Sequence, residues 1–256
     1  GLMDTGLNDS VVLVTGGAGG IGEAICRAFA SEGCKVVVHY NESSENAEKI
    51  ANEIDGYPIQ ADLRDSQKAI SLVNEIVNKY GKLDICIANA GYYPPEPLPL
   101  WQISSDRWNQ TVSSNLNVAV NTARSFLQEA SRKGSGSLVF IGSTAGIYGE
   151  SGHSDYAAAK GAITSGLLMS LKNDVSRIGN VRVNAVAPGW TITPKKIEQG
   201  VDAKLIEKAT ATMSLKKLAT PEDIATTVVS ISSDLISGHI TGQVIEVAGG
   251  MEGRLI

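Results

Sequence analysis

The feature that most constrains the fold lies near the N-terminus, where a short apolar run passes directly into a glycine-rich turn. Val11–Val14 has the sequence V-V-L-V, which is typical of a strand buried on both faces. T-G-G-A-G-G-I-G follows at residues 15–22, and a helical pattern then continues to Ser31. Strand, glycine turn and helix together bring free backbone N–H groups and the positive end of a helix dipole to one point. This order therefore predicts a phosphate-binding turn.

Strand and helix patterns then alternate along the rest of the chain. The further predicted strands are Lys35–Tyr40, 57–61, 83–88, 137–141, 181–187 and Val244–Val247. The further predicted helices are Ser44–Ile54, Ser66–Tyr80, 104–132, 155–178 and 220–233. Seven strands with helical crossovers predict an α/β fold, a doubly wound parallel sheet with helices on both faces. We expect residues 1–256 to form one domain, because no repeat or linker interrupts them.

Polar and turn-forming residues follow four of the predicted strands. They are Asp62, Asn89, Ser143 and the pair Pro188-Gly189. Each of them alone suits an ordinary turn. In a parallel sheet, however, ligands bind at the carboxyl ends of the strands, near the point where the strand order reverses. Their coincidence at one edge therefore predicts a binding site.

Tyr156 and Lys160 stand four residues apart in Y-A-A-A-K, after a Ser154-Asp155 pair that predicts a capped helix start. Residues at this spacing share a helix face, so the ammonium can lie near the phenol. An unperturbed phenol has a pKa near ~10, and a nearby cation is expected to lower it toward neutrality. Ser143 can donate a hydrogen bond to the same substrate oxygen. The Tyr-Lys spacing alone is equally typical of an ordinary buried helix, so the catalytic interpretation depends on the phosphate-binding turn.

Composition excludes several other classes of function. The net charge of -5 argues against nucleic acid as the main partner, and no apolar run is long enough to predict a membrane span. Residues 1–10 lack the features of a signal peptide. The cysteines lack C-x-x-C spacing and sit among apolar residues, which favours a core role in a reducing compartment; they are Cys26, Cys34 and Cys86. With three scattered histidines, we expect a cytoplasmic protein without a metal site.

Taken together, the motifs resemble those of the short-chain dehydrogenase/reductase family over essentially the whole chain. Beside the glycine turn and Y-A-A-A-K, the matching segments are A-D-L at 61–63, A-N-A-G at 88–91, S-N-L-N around Asn115, Ser143, P-G-W-T-I-T at 188–193, P-E-D-I-A at 221–225 and I-T-G-Q at 240–243. The resemblance implies a Rossmann fold and an NAD(P)-dependent oxidoreductase that interconverts a secondary alcohol and a ketone. The pattern looks like that of 3-oxoacyl carrier-protein reductases, which favours a 3-oxoacyl thioester as the substrate.

Two alternatives remain open at this point. One is a sugar or polyol dehydrogenase of the same family. The other is a protein that binds the dinucleotide as a sensor or scaffold without chemistry, which loss of the tyrosine or the lysine would indicate. Both residues are present. A structural protein without a ligand would require every strand-end motif to be a coincidence.

The resemblance also implies roles for four catalytic residues. Tyr156 is expected to be the general acid/base and Ser143 to steady the substrate oxygen. Lys160 is expected to bind the nicotinamide ribose and to lower the pKa of Tyr156. Asn115 is expected to hold a water that links Lys160 to solvent.

A larger set of residues is expected to bind the coenzyme, from the resemblance and from the end of the second strand. They are Gly16, Gly20, Ile21, Gly22, Tyr40, Asn41, Ser43, Asp62, Leu63, Asn89, Ala90, Gly91, Tyr156, Lys160, Pro188, Gly189, Thr191 and Thr193. The glycines would shape the pyrophosphate loop, and Asp62 would meet the adenine ring. Asn89 would support the central part of the coenzyme. Thr191 and Thr193 would contact the nicotinamide amide and the phosphates.

The end of the second strand bears on the choice of coenzyme. A preference for NAD usually rests on a carboxylate there, and this strand ends in Tyr40-Asn41 without one. Asn41 and Ser43 can donate hydrogen bonds to a 2′-phosphate, whereas Glu42 opposes one. Gly19 stands where many NADP-using relatives carry Arg or Lys. The sequence predicts NADP as the preferred coenzyme, with NAD usable.

The substrate pocket is expected from residues 92–101, 148–153 and 190–215. Its candidate aromatic walls are Tyr92, Tyr93, Trp101 and Trp190. Glu96 and Glu150 can bind hydroxyl groups, which suits a sugar or polyol, whereas His153 is expected to be a solvated loop residue. Residues 194–218 are expected to form a mobile lid over a small-molecule substrate.

The two long helices at 104–132 and 155–178 carry apolar residues around much of their circumference. These residues include Val118, Phe126, Leu127, Leu167, Leu168 and Leu171. More apolar surface than one sheet face needs predicts a subunit interface. Because relatives usually form tetramers through this helix pair and the C-terminal strand, we expect a homotetramer with dihedral symmetry.

Overall fold

The computed structural model describes residues 3–251; residues 1–2 and 252–256 of the predicted domain lie outside them. In the described part of the chain, seven strands lie parallel in one sheet, in the order β3-β2-β1-β4-β5-β6-β7. The strands are β1 (Val11–Val14), β2 (Lys35–Tyr40), β3 (Tyr57–Gln60), β4 (Ile85–Ala88), β5 (Ser135–Ile141), β6 (Asn180–Pro188) and β7 (Val244–Val247). The predicted α/β fold with a seven-stranded parallel sheet is confirmed.

Helices connect the strands and cover both faces of the sheet. They are α1 (Gly20–Ser31), α2 (Ser44–Ile54), α3 (Ser66–Tyr80), α4 (Ser105–Val112), α5 (Val118–Lys133), α6 (Ala145–Tyr148), α7 (Ser154–Ala162), α8 (Leu168–Asp174), α9 (Pro194–Glu198), α10 (Ala203–Thr210), α11 (Pro221–Ser232) and α12 (Asp234–Ser237). One apolar core lies between the sheet and α3, α5 and α8, and a second lies between the sheet and α1, α2 and α11. The strands are apolar on both sides because both faces are covered.

Both long helices predicted from the sequence contain a wider turn. A π-helical turn at Ser113–Asn117 separates α4 from α5, and another at Ile163–Leu167 separates α7 from α8. The first begins where α4 ends, and Ser104 caps α4 by accepting a hydrogen bond from the Arg107 amide at 3.1 Å. Such turns are frequent at functional sites. The first of these carries Asn115.

The start of α7 differs from the prediction. His153 occupies the N-cap position, and its side chain makes no capping hydrogen bond to the helix, so the capping role expected for Ser154-Asp155 is wrong. Asp155 is fully buried, and its Oδ2 accepts hydrogen bonds from Arg107 Nε at 3.0 Å and Thr111 Oγ1 at 2.8 Å. The Asp155 carboxylate therefore binds the Arg107 guanidinium of α4 instead of capping the start of α7. Ser154 Oγ is buried without a hydrogen-bond partner among the described residues.

The order of the strands creates a crevice at the carboxyl edge between β1 and β4. The chain leaves β1 toward β2 and β3 on one side, and returns to β4 on the other. The loops after these two strands consequently turn away from each other, which opens space for a ligand. The glycine turn follows β1, and Asn89 follows β4, so both lie at this crevice.

His39 on β2 fastens the glycine turn to the neighbouring strand end. Its side chain is buried, and Nε2 lies 2.8 Å from the Ala61 carbonyl oxygen, while Nδ1 lies 3.0 Å from the Gly16 amide nitrogen. Because a carbonyl only accepts, Nε2 carries the proton and Nδ1 accepts from Gly16. Burial lowers the pKa of His39 to about 4, against a smaller opposing effect of the bond to Ala61. The neutral imidazole is therefore part of the folded structure.

This geometry predicts a pH-dependent stability. The pKa of His39 in the folded chain lies below that of an unfolded histidine, near ~6.5, so its contribution is complete above that pH and declines as pH falls toward 4. Between pH 7 and 5 we expect the free energy of unfolding to fall by about 2 kcal/mol. Denaturant unfolding at both pH values measures it. His39→Gln should reduce this loss, whereas His239→Gln, at an exposed histidine, should leave it unchanged. Equal loss in wild type and His39→Gln would contradict the assignment.

Candidate active site

The glycine turn is shaped for close approach of a ligand to the backbone. Gly16 has a φ of +62°, and a Cβ there would lie 2.9 Å from the Cα of Ala90. A Cβ on Gly22 would collide with the carbonyl oxygen of Gly16. Helix α1 begins here without a side-chain cap, so its first N–H groups have no partner within the helix. These residues fit the pyrophosphate of the predicted coenzyme.

Asn89 holds the turn against the end of β4. Its Nδ2 donates to the carbonyl oxygens of Thr15 and Gly16, both at 3.1 Å. Thr15 Oγ1 in turn accepts from the backbone amides of Asn89 and Ala90 at 2.9 and 3.0 Å. Asn89 therefore joins the loop after β4 to the glycine turn, and its role near the centre of the coenzyme stays a prediction.

A cavity of about 440 Å³ opens at this edge of the sheet. It is lined by Ile21, Asn89, Gly91, Tyr92, Tyr93, Asn115, Ile141, Gly142, Ser143, Thr144, Glu150, Tyr156, Lys160, Pro188, Gly189, Trp190, Thr191, Thr193 and Lys196. All four residues predicted to be catalytic line it, and so do nine of the residues predicted to bind the coenzyme. The sequence motifs after β4, β5 and β6 thus converge on one space.

Tyr156 lies in this cavity beside Ser143. Removal of water by the surrounding protein raises the pKa of Tyr156 to about 12; a hydrogen bond with the Ser143 side chain lowers it, and the Glu150 carboxylate raises it further. Ser143 Oγ also accepts from the Ala145 amide at 3.1 Å, which fixes its orientation. At neutral pH the phenol carries its proton and can donate it.

Lys160 is buried one turn further along α7. Its Nζ donates to the carbonyl oxygen of Ile141 at 3.0 Å and lies 5.8 Å from the centroid of the Tyr156 ring. Burial lowers the pKa of Lys160 to about 8. Lys160 was expected to lower the pKa of Tyr156 toward neutrality, whereas this pKa is raised, with removal of water from the phenol as the largest cause.

Asn115 orders the loop that follows β4. Its Nδ2 donates to the carbonyl oxygens of Tyr92 at 2.8 Å and Thr111 at 2.9 Å, and its Oδ1 accepts from the Tyr92 amide at 3.0 Å. A Cβ on Gly91 would lie 2.8 Å from this Oδ1 and 3.4 Å from Lys160 Nζ. Both amide protons of Asn115 are used within the protein, so its side chain has only Oδ1 left for the water expected to link Lys160 to solvent.

The remaining predicted coenzyme residues lie outside the cavity, at the glycine turn and at the ends of β2, β3 and β4. They are Gly16, Gly20, Gly22, Tyr40, Asn41, Ser43, Asp62, Leu63 and Ala90. Leu63 is buried in the core, and its carbonyl oxygen accepts from Asn121 at 2.9 Å. Asn41 is held by Gln60, whose Nε2 donates to its backbone and side-chain oxygens at 3.2 Å.

Asp62 is engaged by a cation that the sequence analysis did not single out. Arg64 donates to both of its carboxylate oxygens, from Nε at 2.9 Å and from Nη2 at 2.7 Å. These bonds lower the pKa of Asp62 to about 2. The hydrogen bonds to Asp62 raise the pKa of the Arg64 guanidinium, and the Glu42 carboxylate makes a smaller contribution in the same direction. Arg64 therefore places a positive charge at the edge where the adenine end of the coenzyme was predicted.

The loop after β6 reaches over the start of α1. A Cβ on Gly20 would lie 3.2 Å from Thr193, whose hydroxyl caps α9 by accepting from the Lys196 amide at 3.3 Å. Lys196 Nζ donates to the Thr191 carbonyl oxygen at 3.0 Å. Residues 194–218 include α9 and α10, and Lys196 brings this predicted lid segment to the cavity wall.

The substrate side of the cavity departs from the prediction in three residues. Tyr92, Tyr93 and Trp190 line it as expected. Trp101 does not, since it is 83% exposed, and neither does Glu96, which is also exposed. His153 is 5% exposed rather than solvated, and its Nε2 donates to the Pro94 carbonyl oxygen at 2.8 Å.

The described residues contain neither a cluster of metal-binding side chains nor a membrane-spanning helix. They contain no group of three or more His, Cys, Asp or Glu side chains that could hold a metal ion. The helices within residues 3–251 include none that combines the length and the apolar character needed to cross a membrane. The three cysteines are buried and unpaired, as predicted for core residues.

Comparison with known proteins agrees with the geometry. The family model described as short chain dehydrogenase matches residues 10–203. The chain is 32% identical to the 3-oxoacyl-[acyl-carrier-protein] reductase FabG of Thermotoga maritima over 250 residues, 96% of this chain and 98% of the relative. It is 32% identical to the protein of that name from Staphylococcus aureus over 244 residues, 93% of this chain and 96% of the relative.

A third relative carries a different name. The acetoacetyl-CoA reductase of an Acinetobacter species is 29% identical over 247 residues, 94% of this chain and 97% of the relative. The family model covers well over half of the chain, and the FabG relatives align over nearly all of it. The chain therefore belongs to the short-chain dehydrogenase family and is an oxidoreductase that uses a nicotinamide dinucleotide to act between hydroxyl and keto groups.

Proposed function

We propose that this enzyme reduces the 3-oxo group of an acyl thioester to a secondary alcohol. The observation that carries the reaction type is the single cavity lined by Ser143, Tyr156 and Lys160 beside the glycine turn. The names of the FabG and acetoacetyl-CoA reductase relatives support the substrate class. A sugar or polyol dehydrogenase is the second candidate, favoured by the Glu150 carboxylate in the same cavity.

The proposed mechanism assigns proton transfer to Tyr156. The nicotinamide, when bound, supplies the hydride. As the carbonyl carbon is reduced, the Tyr156 hydroxyl donates its proton to the carbonyl oxygen, and the Ser143 hydroxyl donates a hydrogen bond to that oxygen. Because the pKa of Tyr156 is about 12, the phenol is protonated at neutral pH, as the proton donor of this reduction must be.

Other residues position the coenzyme in this proposal. The N–H groups at the start of α1 bind its pyrophosphate, shaped by Gly16, Gly20 and Gly22. Lys160 binds the nicotinamide ribose, and the Thr191 backbone and Thr193 hydroxyl contact the nicotinamide amide and the phosphates. The position of Thr193 against Gly20 supports this, since it brings the loop after β6 to the pyrophosphate turn. Asn115 orders the loop beside Lys160 and offers Oδ1 to a water.

Replacement of the proposed acid tests the reaction. Tyr156→Phe should lower kcat with acetoacetyl-CoA by about 10²–10⁴-fold, because the proton donor is lost, while the reduced coenzyme still binds. Turnover is measured by loss of reduced-nicotinamide absorbance, and binding by its fluorescence. Tyr57→Phe, which removes a hydroxyl far from the cavity on β3, should leave kcat unchanged. A Tyr156→Phe enzyme with near-normal kcat would refute the role, and a wild type inactive with every ketone would favour the sensor alternative.

We also propose that NADP is the preferred coenzyme, with NAD usable. Asn41 and Ser43 supply neutral hydrogen-bond donors at the end of β2, and the start of α2 favours an anion. Arg64 adds a cation at this edge, although Asp62 neutralises much of its charge. The Glu42 carboxylate repels a 2′-phosphate. These opposing groups support a modest preference.

The ratio of kcat/KM for the two coenzymes at fixed substrate tests this preference. In the wild type this ratio should favour NADPH. Asn41→Asp should shift the ratio toward NADH by about tenfold or more, because the new carboxylate repels a 2′-phosphate and accepts a hydrogen bond from a 2′-hydroxyl. Asp65→Asn, a substitution of the same size at the start of α3, serves as the control. A tenfold wild-type advantage for NADH, ~1.4 kcal/mol, would overturn the proposal.

We propose further that the chain assembles as a homotetramer. Of the apolar residues predicted at the interface, Val118, Phe126 and Leu168 belong to the core of the monomer, which corrects their assignment. Leu127, Leu167 and Leu171 are only partly buried and line a groove of about 560 Å³ between α5 and α8. An apolar groove on the outer helix layer supports self-association at this face.

Light scattering at micromolar concentration tests the assembly. The wild type should have four times the monomer mass of 26.9 kDa. Leu127→Glu should lower the mass, because a charge in an apolar interface loses its hydration without gaining a partner. Leu205→Glu, at an exposed leucine on α10, should leave the mass unchanged. A monomeric wild type would exclude the tetramer.

The lid role of residues 194–218 and the cytoplasmic location stay predictions.

A further inference from the structure

Tyr93 and Glu150 line the cavity away from the glycine turn, and together with the buried His153 they form a cluster of three side chains. The Tyr93 hydroxyl donates to Glu150 Oε2 at 2.6 Å, and both this hydroxyl and Oε2 lie 3.2 Å from His153 Nδ1. The rings of Tyr93 and His153 stack with centroids 4.2 Å apart. The reaction proposed above assigns none of the three a role.

Two members of the cluster, His153 and Tyr93, are also held by contacts outside it. His153 Nε2 is committed as a donor to the Pro94 carbonyl oxygen, so the imidazole cannot rotate freely. Tyr93 packs edge-on against the Tyr156 ring with centroids 5.0 Å apart. Glu150 is therefore fixed at a defined distance from the proton donor through a single intervening ring.

The Glu150 carboxylate has capacity left for a ligand. Both of its contacts with the described residues use Oε2, its side chain is 33% exposed, and it lines the cavity. Its charge reaches the reacting group, since it raises the pKa of Tyr156. An ionised carboxylate only accepts hydrogen bonds, so its partner on the substrate must be a donor.

The charge in the cavity decides which donor fits. Lys196 lines the same space, and Glu150 already acts on it, opposing the lowering of the Lys196 pKa that burial causes. A cationic substrate would therefore meet a positive charge as well as the carboxylate. A neutral hydroxyl group has no such penalty and gains a charge-assisted hydrogen bond.

We propose that Glu150, oriented by Tyr93 and His153, is a specificity-determining residue that accepts a hydrogen bond from a hydroxyl group of the substrate. This subsite favours the second candidate above, because it selects a ketone that carries a hydroxyl group close to the reacting carbonyl over a 3-oxoacyl thioester. This proposal rests on the ketone reduction proposed above, but not on the acyl thioester. It makes Tyr93 and His153 positioning residues that act through Glu150.

Matched ketone pairs test the subsite. Hydroxyacetone is compared with 2-butanone, and 4-hydroxy-2-butanone with 2-pentanone, so that each pair exchanges a hydroxyl for a methyl group. In the wild type, kcat/KM for the hydroxylated member of at least one pair should exceed that for its partner by about tenfold or more. A hydrogen bond to a charged acceptor stabilises binding by enough to give this difference. The ratio within a pair cancels any general loss of activity.

Variants assign the preference to the carboxylate. Glu150→Ala should bring the ratio close to one, and Glu150→Gln, which keeps a neutral acceptor, should give an intermediate ratio. Tyr93→Phe should lower the ratio mainly through KM for the hydroxylated ketone, because Glu150 loses its orientation. Glu96→Gln removes the same charge from an exposed position near the cavity and should leave the ratio unchanged.

The outcomes separate this proposal from the reaction on which it rests. Turnover of both members of each pair with equal kcat/KM would refute the hydroxyl subsite and leave ketone reduction intact. A wild-type preference that survives Glu150→Ala would refute the role of Glu150. If the enzyme turns over none of the four ketones and does not reduce acetoacetyl-CoA, the ketone reduction is refuted, and this proposal with it.

Discussion

The buried ion pair between Asp155 and Arg107 holds the catalytic arrangement together. Burial alone would raise the pKa of Asp155, but hydrogen bonds from Arg107 and Thr111 overcome this and keep the pKa below its usual range. The carboxylate precedes Tyr156 directly, so its position sets that of the phenol. Loss of either partner would leave a charge buried without compensation, which is far more costly than loss of an exposed ion pair.

The same ion pair connects the two helices that carry the site. Thr111, at the end of α4, donates to Asp155 and offers its carbonyl oxygen to Asn115 in the following π-helical turn. Asn115 then fixes Tyr92 in the loop after β4. One run of hydrogen bonds therefore joins the start of α7 to the loop beside Lys160. The π-helical turn places Asn115 within this run, which gives that irregularity a structural purpose.

The fold and the reacting residues were predictable because their signals are local. A strand, a glycine turn and a helix are encoded by adjacent residues, and the spacing of Tyr156 and Lys160 fixes their common helix face. The parallel order then brings the ends of β4, β5 and β6 to one edge. Periodicity and turn chemistry carry these placements, whereas the roles of the individual catalytic residues came from the resemblance to the family.

The residues that sequence reasoning missed depend on contacts between distant parts of the chain. Arg107 meets Asp155 across 48 positions, and His39 meets Gly16 across 23. No spacing rule relates such pairs, because the sheet and the helix packing decide which loops meet. The pKa of Tyr156 is raised, opposite to the predicted direction, for a related reason. A four-residue spacing indicates a neighbouring charge, but it does not indicate how much water the fold removes from the phenol. The sequence did single out Glu150 as a residue that can bind hydroxyl groups, although not its contacts with Tyr93 and His153.

The interior position of β1 in the sheet has a consequence for how the chain is made. Val12–Val14 pairs on one side with β2, which follows soon after, but on the other side with Ile85–Ile87. A growing chain emerging from the ribosome therefore carries an apolar strand with one open edge until some seventy further residues have been added. Long-range pairing of this kind is slow, and an open apolar edge invites association with other chains. The reversal of strand order that creates the coenzyme crevice thus also creates the period of greatest risk during synthesis.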